Sequence, residues 1–376
     1  MGSEILQKQR QAIEKERLDA LVAVSPTSVI YTAGFVIPSL RIQGLHRRIA
    51  MTVVTADENQ KCLIVVDMEA STAAKRSEWV SDIRSYREFE QCAADILVST
   101  LEEYGLAAGR IGLELDYLPA SDFTLIQNGL PKARFVNVSK LFLEVRSVKT
   151  SSEIEKLIKV GRATDKAHDA VVHHARAGMT EMEVTDLITS TIFHEGVEDI
   201  SLIIVASGDR SVLPNVGPSS RILKPGDIMR IDLLAHVGAY CSDCARTYVV
   251  GEPNRAQMAT WNALVSTLDA IKSQLRPGVS SSALYKIFTD SYAAFGLKPS
   301  RFVGHGLGLS VHEHPWIGSL DRFNRTIEEN MVLCIEPYFL TDSEGYQLED
   351  EVLITKNGFD LITNQANTRS LLQIAA

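Results

Sequence analysis

Ile228-Met229-Arg230-Ile231-Asp232-Leu233-Leu234-Ala235-His236-Val237-Gly238-Ala239-Tyr240-Cys241-Ser242-Asp243-Cys244 is the stretch on which the reading of this chain turns. Two runs of strand length flank Val237-Gly238, and glycine tolerates the positive φ that a tight hairpin turn needs. With Val237-Gly238 as the turn, His236 faces Ala239, and counting back sets Asp232 directly opposite Asp243. Cross-strand neighbours keep their Cβ atoms about 5 Å apart on one face. Two carboxylates that close repel unless one is protonated or a cation lies between them.

The arrangement recurs near the C-terminus. Glu336 closes Val332-Leu333-Cys334-Ile335, and Glu349 follows Gln347-Leu348. A turn centred between Asp342 and Ser343 sets these two acids opposite each other. One such pair reads as a surface charge ladder. Two pairs, each inside an apolar strand, point to a bound cation, because buried charges persist only when paired or coordinated. Phe302-Val303-Gly304-His305-Gly306-Leu307-Gly308-Leu309 adds a nitrogen ligand among glycines, where backbone can approach closely, and His312-Glu313-His314-Pro315 follows. Four carboxylates and an imidazole suit Mn²⁺, Co²⁺, Fe²⁺ or Zn²⁺. Two ions sharing a carboxylate would lower the pKa of a bridging water and clamp both oxygens of a hydrolytic transition state.

Around these stretches the second half has a helix pair near 151–177 and 181–195, then strands near 201–207, 228–236 and 239–250. A second pair near 255–275 and 280–295 precedes strands near 309–312, 332–340 and 348–355. Helices segregated to one side of antiparallel strands make an α+β layer, and the repeated rhythm suggests two similar halves. The first half instead alternates. A charged helical stretch from Ile5 leads into the strand Ala20–Val24 and the breaker Ser25-Pro26-Thr27-Ser28. Strands at 49–55 and 62–66 and helices near 88–104 follow, an α/β pattern. Thr150-Ser151-Ser152-Glu153 reads as a capping box just past the polar joint Arg146–Lys149, so the domains are expected at 1–148 and 149–376.

A chain of 376 residues exceeds one ordinary core. With 45% hydrophobic and 23% charged residues it is a globular sequence. A net charge of -9 argues against nucleic acid, which needs clustered Lys and Arg, and no apolar run reaches membrane-spanning length. The N-terminus has no signal-peptide core, and five scattered cysteines suit a reducing cytoplasm, the expected location. Cys241 and Cys244 form a CxxC, but on a strand they point to opposite faces. The 304–309 run lacks the Lys and strand-to-helix context of a phosphate loop. His173, His174 and His194 read as surface or capping residues of helices.

Taken together, Ile231-Asp232-Leu233, Ser242-Asp243-Cys244-Ala245-Arg246-Thr247, Gly304–Leu309, His312-Glu313, Ile335-Glu336-Pro337 and Glu349-Asp350 resemble the pita-bread metallohydrolases. That family includes prolidase (Xaa-Pro dipeptidase), Xaa-Pro aminopeptidase, methionine aminopeptidase and creatinase. Leu18-Asp19-Ala20-Leu21 and Ile30-Tyr31-Thr32-Ala33-Gly34-Phe35 look like the creatinase/prolidase N-terminal domain. The resemblance implies an α/β N-terminal domain and an α+β pita-bread catalytic domain. It also implies two divalent ions, Mn²⁺ first with Co²⁺, Zn²⁺ or Fe²⁺ as the other fits, held by Asp232, Asp243, His305, Glu336 and Glu349. Asp243 and Glu349 would bridge, and Glu336 would double as general base for a metal-activated bridging water. His312 would bond the scissile carbonyl or shuttle a proton. The implied activity is hydrolysis of a peptide or amide C–N bond by a homodimer. Hydrolysis or lysis of a small non-peptide metabolite, or a non-catalytic binding role, are the rival readings. His46 and Arg48 fall in a loop that relatives sometimes reach across a dimer interface.

Three positions depart from the prolidase pattern. Asn215 stands where prolidases carry His, Trp316 where they often carry Arg, and Gln347 where many carry Arg. With His314 these residues are expected to form the substrate wall. Two of the replaced groups are permanent cations, so the wall is expected to have lost its grip on a substrate carboxylate and to take a neutral or aromatic amide.

Overall fold

The computed structural model describes residues 2–41, 48–363 and 368–376. His46 lies outside the described residues. Contacts divide the chain into two compact units, residues 1–146 and 147–376.

In the first unit α1 (Gly2–Lys15) leads to β1 (Ala20–Ala23) and α2 (Pro26–Ala33). The expected breaker at 25–28 opens a helix instead. Ser25 caps it by accepting a bond from the Ser28 amide, and Pro26 sits in the first turn, where its missing N–H costs nothing. There follow β2 (Met51–Thr55), β3 (Lys61–Val66), α3 (Asp67–Arg76), β4 (Ile83–Tyr86) and α4 (Ala93–Glu103). The unit closes with β5 (Arg110–Leu113), α5 (Ala120–Gly129), β6 (Arg134–Asn137) and α6 (Ser139–Ser147). The six strands form one mixed sheet in the order β4-β3-β2-β1-β5-β6, and Val22, Val53, Ile64 and Ile111 lie in its core.

The second unit begins with α7 (Ser151–His174), whose capping box closes as the sequence predicts: Glu153 N–H donates to Thr150 and the Glu153 carboxylate accepts from Thr150 N–H. Then come α8 (Glu181–His194), β7 (Asp199–Ser207), β8 (Ile228–Val237) and β9 (Tyr240–Val250). The second helix pair is α9 (Arg255–Lys272) and α10 (Ser281–Ala294), followed by β10 (Phe302–Gly306) and β11 (Glu313–Gly318). Last are β12 (Val332–Ile335), β13 (Tyr338–Leu340), β14 (Gly345–Gln347), β15 (Asp350–Thr355), β16 (Gly358–Leu361) and β17 (Leu372–Ile374).

The pair α7 and α8 shares a core with the sheet β17-β9-β8-β7, through Val160, Val171, Ile188, Ile231 and Tyr248. The pair α9 and α10 shares one with β11-β10-β12-β15-β16, through Leu264, Phe288, Val303 and Leu333. The same unit is therefore built twice. A short echo marks it in sequence: Arg176, Gly178 and Thr180 correspond to Arg276, Gly278 and Ser280. Both glycines take positive φ, at 88° and 91°, and Thr180 and Ser280 both cap the helix that follows.

One expected strand is corrected. Residues 309–312 form a bend between β10 and β11 rather than a strand. The glycines that argue against a strand at 304–306 are there for close packing, since a Cβ on Gly304 would lie 2.4 Å from the Cys334 carbonyl oxygen.

Candidate active site

The hairpin that carries Asp232 and Asp243 turns at Gly238-Ala239, one residue later than expected. Gly238 (φ 55°) and Ala239 (φ 70°) both take positive φ, the requirement of a type I′ turn, so Val237 pairs with Tyr240. Asp243 therefore faces Leu234 and Asp232 faces Ala245, which corrects the direct pairing by two residues. A slip of two keeps every side chain on its face. The two acids remain diagonal neighbours on one face, close enough that the charge of Asp232 helps to raise the Asp243 carboxyl.

The C-terminal register is as expected. Tyr338 pairs with Gln347 and Ile335 with Asp350, which sets Glu336 opposite Glu349 where the two ladder segments meet. Glu349 is tied to the first sheet as well: its N–H donates to the Ala245 carbonyl at 3.1 Å, and the buried Arg246 guanidinium donates to its carbonyl. Asp350 in turn holds Arg246 at 2.9 Å and also pairs with Lys272.

His305 enters from β10, between Trp316 and Cys334 on the flanking strands. Its Nδ1 lies 3.1 Å from the Gly306 carbonyl oxygen, and a proton there leaves Nε2 bare. That Nε2 stands 3.2 Å from Glu336 Oε1, 3.6 Å from Asp243 Oδ2 and 3.9 Å from Glu349 Oε1. The five residues named from the sequence thus converge on one place.

These residues fit divalent metal. His305 Nε2, both carboxylate oxygens of Glu349 and Asp232 Oδ1 are buried yet make no hydrogen bond. Buried polar atoms left in that state cost about 1–3 kcal/mol each, and more when charged. Burial and the neighbouring acids raise the Asp243 and Glu349 carboxyls well above the carboxylate range and Asp232 to about 6. A cation among them removes both penalties. The sequence reading missed Cys334, whose sulfur lies within 4.8 Å of ligand atoms of Asp243, His305 and Glu349. Burial and the same acids hold its thiol protonated, and it donates to the Asp243 carbonyl at 3.7 Å.

Asp232, Asp243 and Glu336 open onto a cavity of about 580 Å³, within the range of small-molecule sites. Leu202, Leu234, Phe302, Val311, Tyr338 and Tyr346 give it apolar walls. His312 stands at its rim, its ring 4.4 Å from that of His305. Burial of part of the ring and the neighbouring His305 lower its pKa to about 4, so the imidazole is neutral near pH 7. His312 is placed by its neighbour Glu313, whose carboxylate accepts from the Ser310 N–H and forms a fully buried ion pair with Lys149 at 3.1 Å.

Of the four expected substrate-wall residues, Asn215 and Gln347 line the cavity and His314 and Trp316 do not. Trp316 packs against the rings of Phe302, His305 and His312 and so supports the histidines from behind. The expected loss of cationic charge is also corrected. Arg230, two residues before Asp232 on β8, lines the cavity and donates to the Gln347 side-chain carbonyl at 2.7 Å. In the sequence it stands within the run 228–231, where nothing marks a role for it.

A helix-pair-and-sheet unit built twice around three buried acids, a half-buried fourth and a histidine, open to a cavity, defines a metal-dependent hydrolase. The chain belongs to metallopeptidase family M24, which it matches over residues 155–356, and residues 5–148 match the creatinase/prolidase N-terminal domain. Enzymes of this family depend on divalent metal. The chain is similar to the uncharacterized peptidase YqhT of Bacillus subtilis, at 26% identity over 96% of this chain and 97% of the relative. Among solved structures it resembles the X-Pro aminopeptidase of Thermotoga maritima, with TM-score 0.84, 26% identity and coverage of 98% and 99% of the two chains. It also resembles the prolidase of Pyrococcus horikoshii, with TM-score 0.81, 26% identity and coverage of 96% and 99%. Among the described residues no helix is long and apolar enough to cross a membrane.

Proposed function

We propose that this metallopeptidase is a dinuclear enzyme of the Xaa-Pro dipeptidase or aminopeptidase type, cleaving a C–N bond in a short peptide or amide. The observation that carries the reading is the convergence of Asp243, Glu336 and Glu349 on the bare nitrogen of His305, with Asp232, Asp243 and Glu336 opening onto the cavity. The names of the solved relatives, an X-Pro aminopeptidase and a prolidase, support the substrate class. Two divalent cations held by these five residues would supply Lewis acidity and a water of lowered pKa.

The chain's own groups do the rest. Glu336, at the cavity wall beside His305, takes the proton of the attacking water. His312, neutral and at the rim, hydrogen-bonds the scissile carbonyl or passes a proton to the leaving nitrogen. The apolar walls around Tyr338 and Tyr346 receive the substrate side chain and exclude water. The test is activity profiling of Mn²⁺-loaded protein against Xaa-Pro dipeptides, longer peptides and N-acyl amides. Turnover of Xaa-Pro bonds is expected. Turnover confined to non-peptide amides would remove the Xaa-Pro assignment, and no C–N hydrolysis at all would remove the peptidase reading.

A further inference from the structure

Arg230 is an unusual occupant of its strand. It is nearly fully buried in a strand whose only other polar residues are Asp232 and His236, and among the described residues no carboxylate lies within ion-pair distance of it. Backbone carbonyls hold it in place: Nη2 donates to the Leu213 and Pro214 carbonyls at 2.5 and 2.8 Å, and Nε to the Ser211 carbonyl at 3.3 Å. With Nη1 donating to Gln347, four of its five N–H groups are engaged by neutral acceptors. Gln347 then donates from Nε2 to Asp232 Oδ2 at 3.2 Å, so one amide links the guanidinium to the acid cluster. A buried guanidinium fixed by neutral partners keeps its full charge available, and burial of an uncompensated charge is costly.

The charge count of the cavity shows what would compensate it. Two divalent cations, where bound, would balance Asp232, Asp243, Glu336 and Glu349. Arg230 is then the one permanent cation among the described residues that line the cavity, with no carboxylate within ion-pair distance and only the more distant charge of Asp232 acting on it. We propose that Arg230 is the anion-binding residue of this site and receives the carboxylate of the substrate, while Gln347 orients its guanidinium toward the ligand. The proposal rests on the peptidase reading for the substrate, although the binding of the anion can be measured without turnover. It replaces the neutral-amide specificity that the three departures from the prolidase pattern suggest.

The experiment compares two ligands that differ only in the charged group, L-proline and L-prolinamide. Their affinities for Mn²⁺-loaded protein are measured by titration calorimetry, beside kcat/KM for Ala-Pro and Ala-Pro amide. A charge-assisted hydrogen bond predicts that the wild-type protein favours the carboxylate partner roughly 10- to 100-fold. Arg230→Met should bring that ratio close to one. Arg230→Lys, which keeps the charge without the fork, should retain part of it. Because Arg230 also supports residues 211–214, Gln347→Glu gives a second test: it leaves those contacts in place, supplies Arg230 with an internal anion, and should collapse the same ratio. Metal content is measured on every variant, and the comparison uses those that keep it. A wild-type ratio near one would overturn the proposal. So would Arg230→Met weakening acid and amide ligands equally, which is the signature of loop support alone. If neither peptide is cleaved while the proline preference and its loss in Arg230→Met persist, the peptidase reading fails and the anion site stands.

Discussion

His312 and Trp316 show how a residue's work depends on what stands behind it. Trp316 packs 5.0 Å from the His312 ring and 5.9 Å from the His305 ring, while Glu313 fixes the bend that presents His312. Replacing His312 by Ala removes the proton-handling group at the rim without touching a carboxylate of the cluster. A fall in kcat of about 10²–10⁴-fold with bound metal retained is expected, since that is the usual contribution of a positioned acid or base. Steady-state kinetics with parallel metal analysis checks it, and unchanged kcat would take His312 out of the mechanism. Lys149→Met is a sharper structural test. It strands Glu313 as an uncompensated buried charge, so a loss on the order of 3–5 kcal/mol in denaturant unfolding is expected. The sequence pattern exposed the four acids because acids inside apolar strands are rare, and His305 because it stands among glycines. It did not expose Arg230, because a lone Arg at a strand position carries no mark of whether its partner is solvent, a carbonyl or a carboxylate.

At the level of the element, the turn of the β8–β9 hairpin decides where the acids stand. Gly238 invites a turn centred on Val237-Gly238, but the type I′ geometry needs positive φ at two successive residues, and Ala239 supplies the second at 70°. The registration error of two left the faces intact, which is why the acid pair was readable even though its partners were not. Strand β10 (Phe302–Gly306) is absent from the expected strands for a different reason. Its glycines lower strand propensity, yet Gly306 has the His314 carbonyl oxygen 2.2 Å from where a Cβ would stand. Gly306→Ala is therefore expected to push β11 away from β10 beside His305. The cost should fall in the range of about 1–3 kcal/mol typical of overpacking, with weakened metal affinity, read by chemical denaturation and metal titration. A variant as stable as the parent would show that the two strands can part without strain.

Across the whole molecule, unit 147–376 holds its buried polar groups in states that depend on pH. His168 is sealed between the Tyr248 hydroxyl and the Cys244 carbonyl, and burial and Arg246 lower its pKa to about 3. The unfolded chain takes up a proton there below about pH 6.5 while the folded one refuses it. Stability from this residue is therefore complete above about pH 6.5 and is lost as pH falls toward 3, at up to about 1.4 kcal/mol per pH unit. Unfolding measured between pH 7 and 4.5 should show that slope, and His168→Gln should flatten it. An unchanged slope would place the acid sensitivity elsewhere. The doubling of the helix-pair unit was legible as a rhythm of elements. The matching Arg176-Gly178-Thr180 and Arg276-Gly278-Ser280 gave it a residue-level mark that periodicity alone passes over, because caps and turns follow φ rather than hydrophobic spacing.

The central claim is that Asp232, Asp243, His305, Glu336 and Glu349 exist to hold two divalent ions, and metal stoichiometry tests it most directly. Equilibrium dialysis against Mn²⁺, followed by elemental analysis, should find about two ions per chain in the parent protein. Asp243→Ala, which removes a carboxylate within reach of both His305 and Asp232, should bring bound metal to trace levels and abolish hydrolysis while the far-ultraviolet circular dichroism stays the same. A parent protein that binds only trace metal, or an Asp243→Ala protein that keeps its metal and full turnover, would contradict the account.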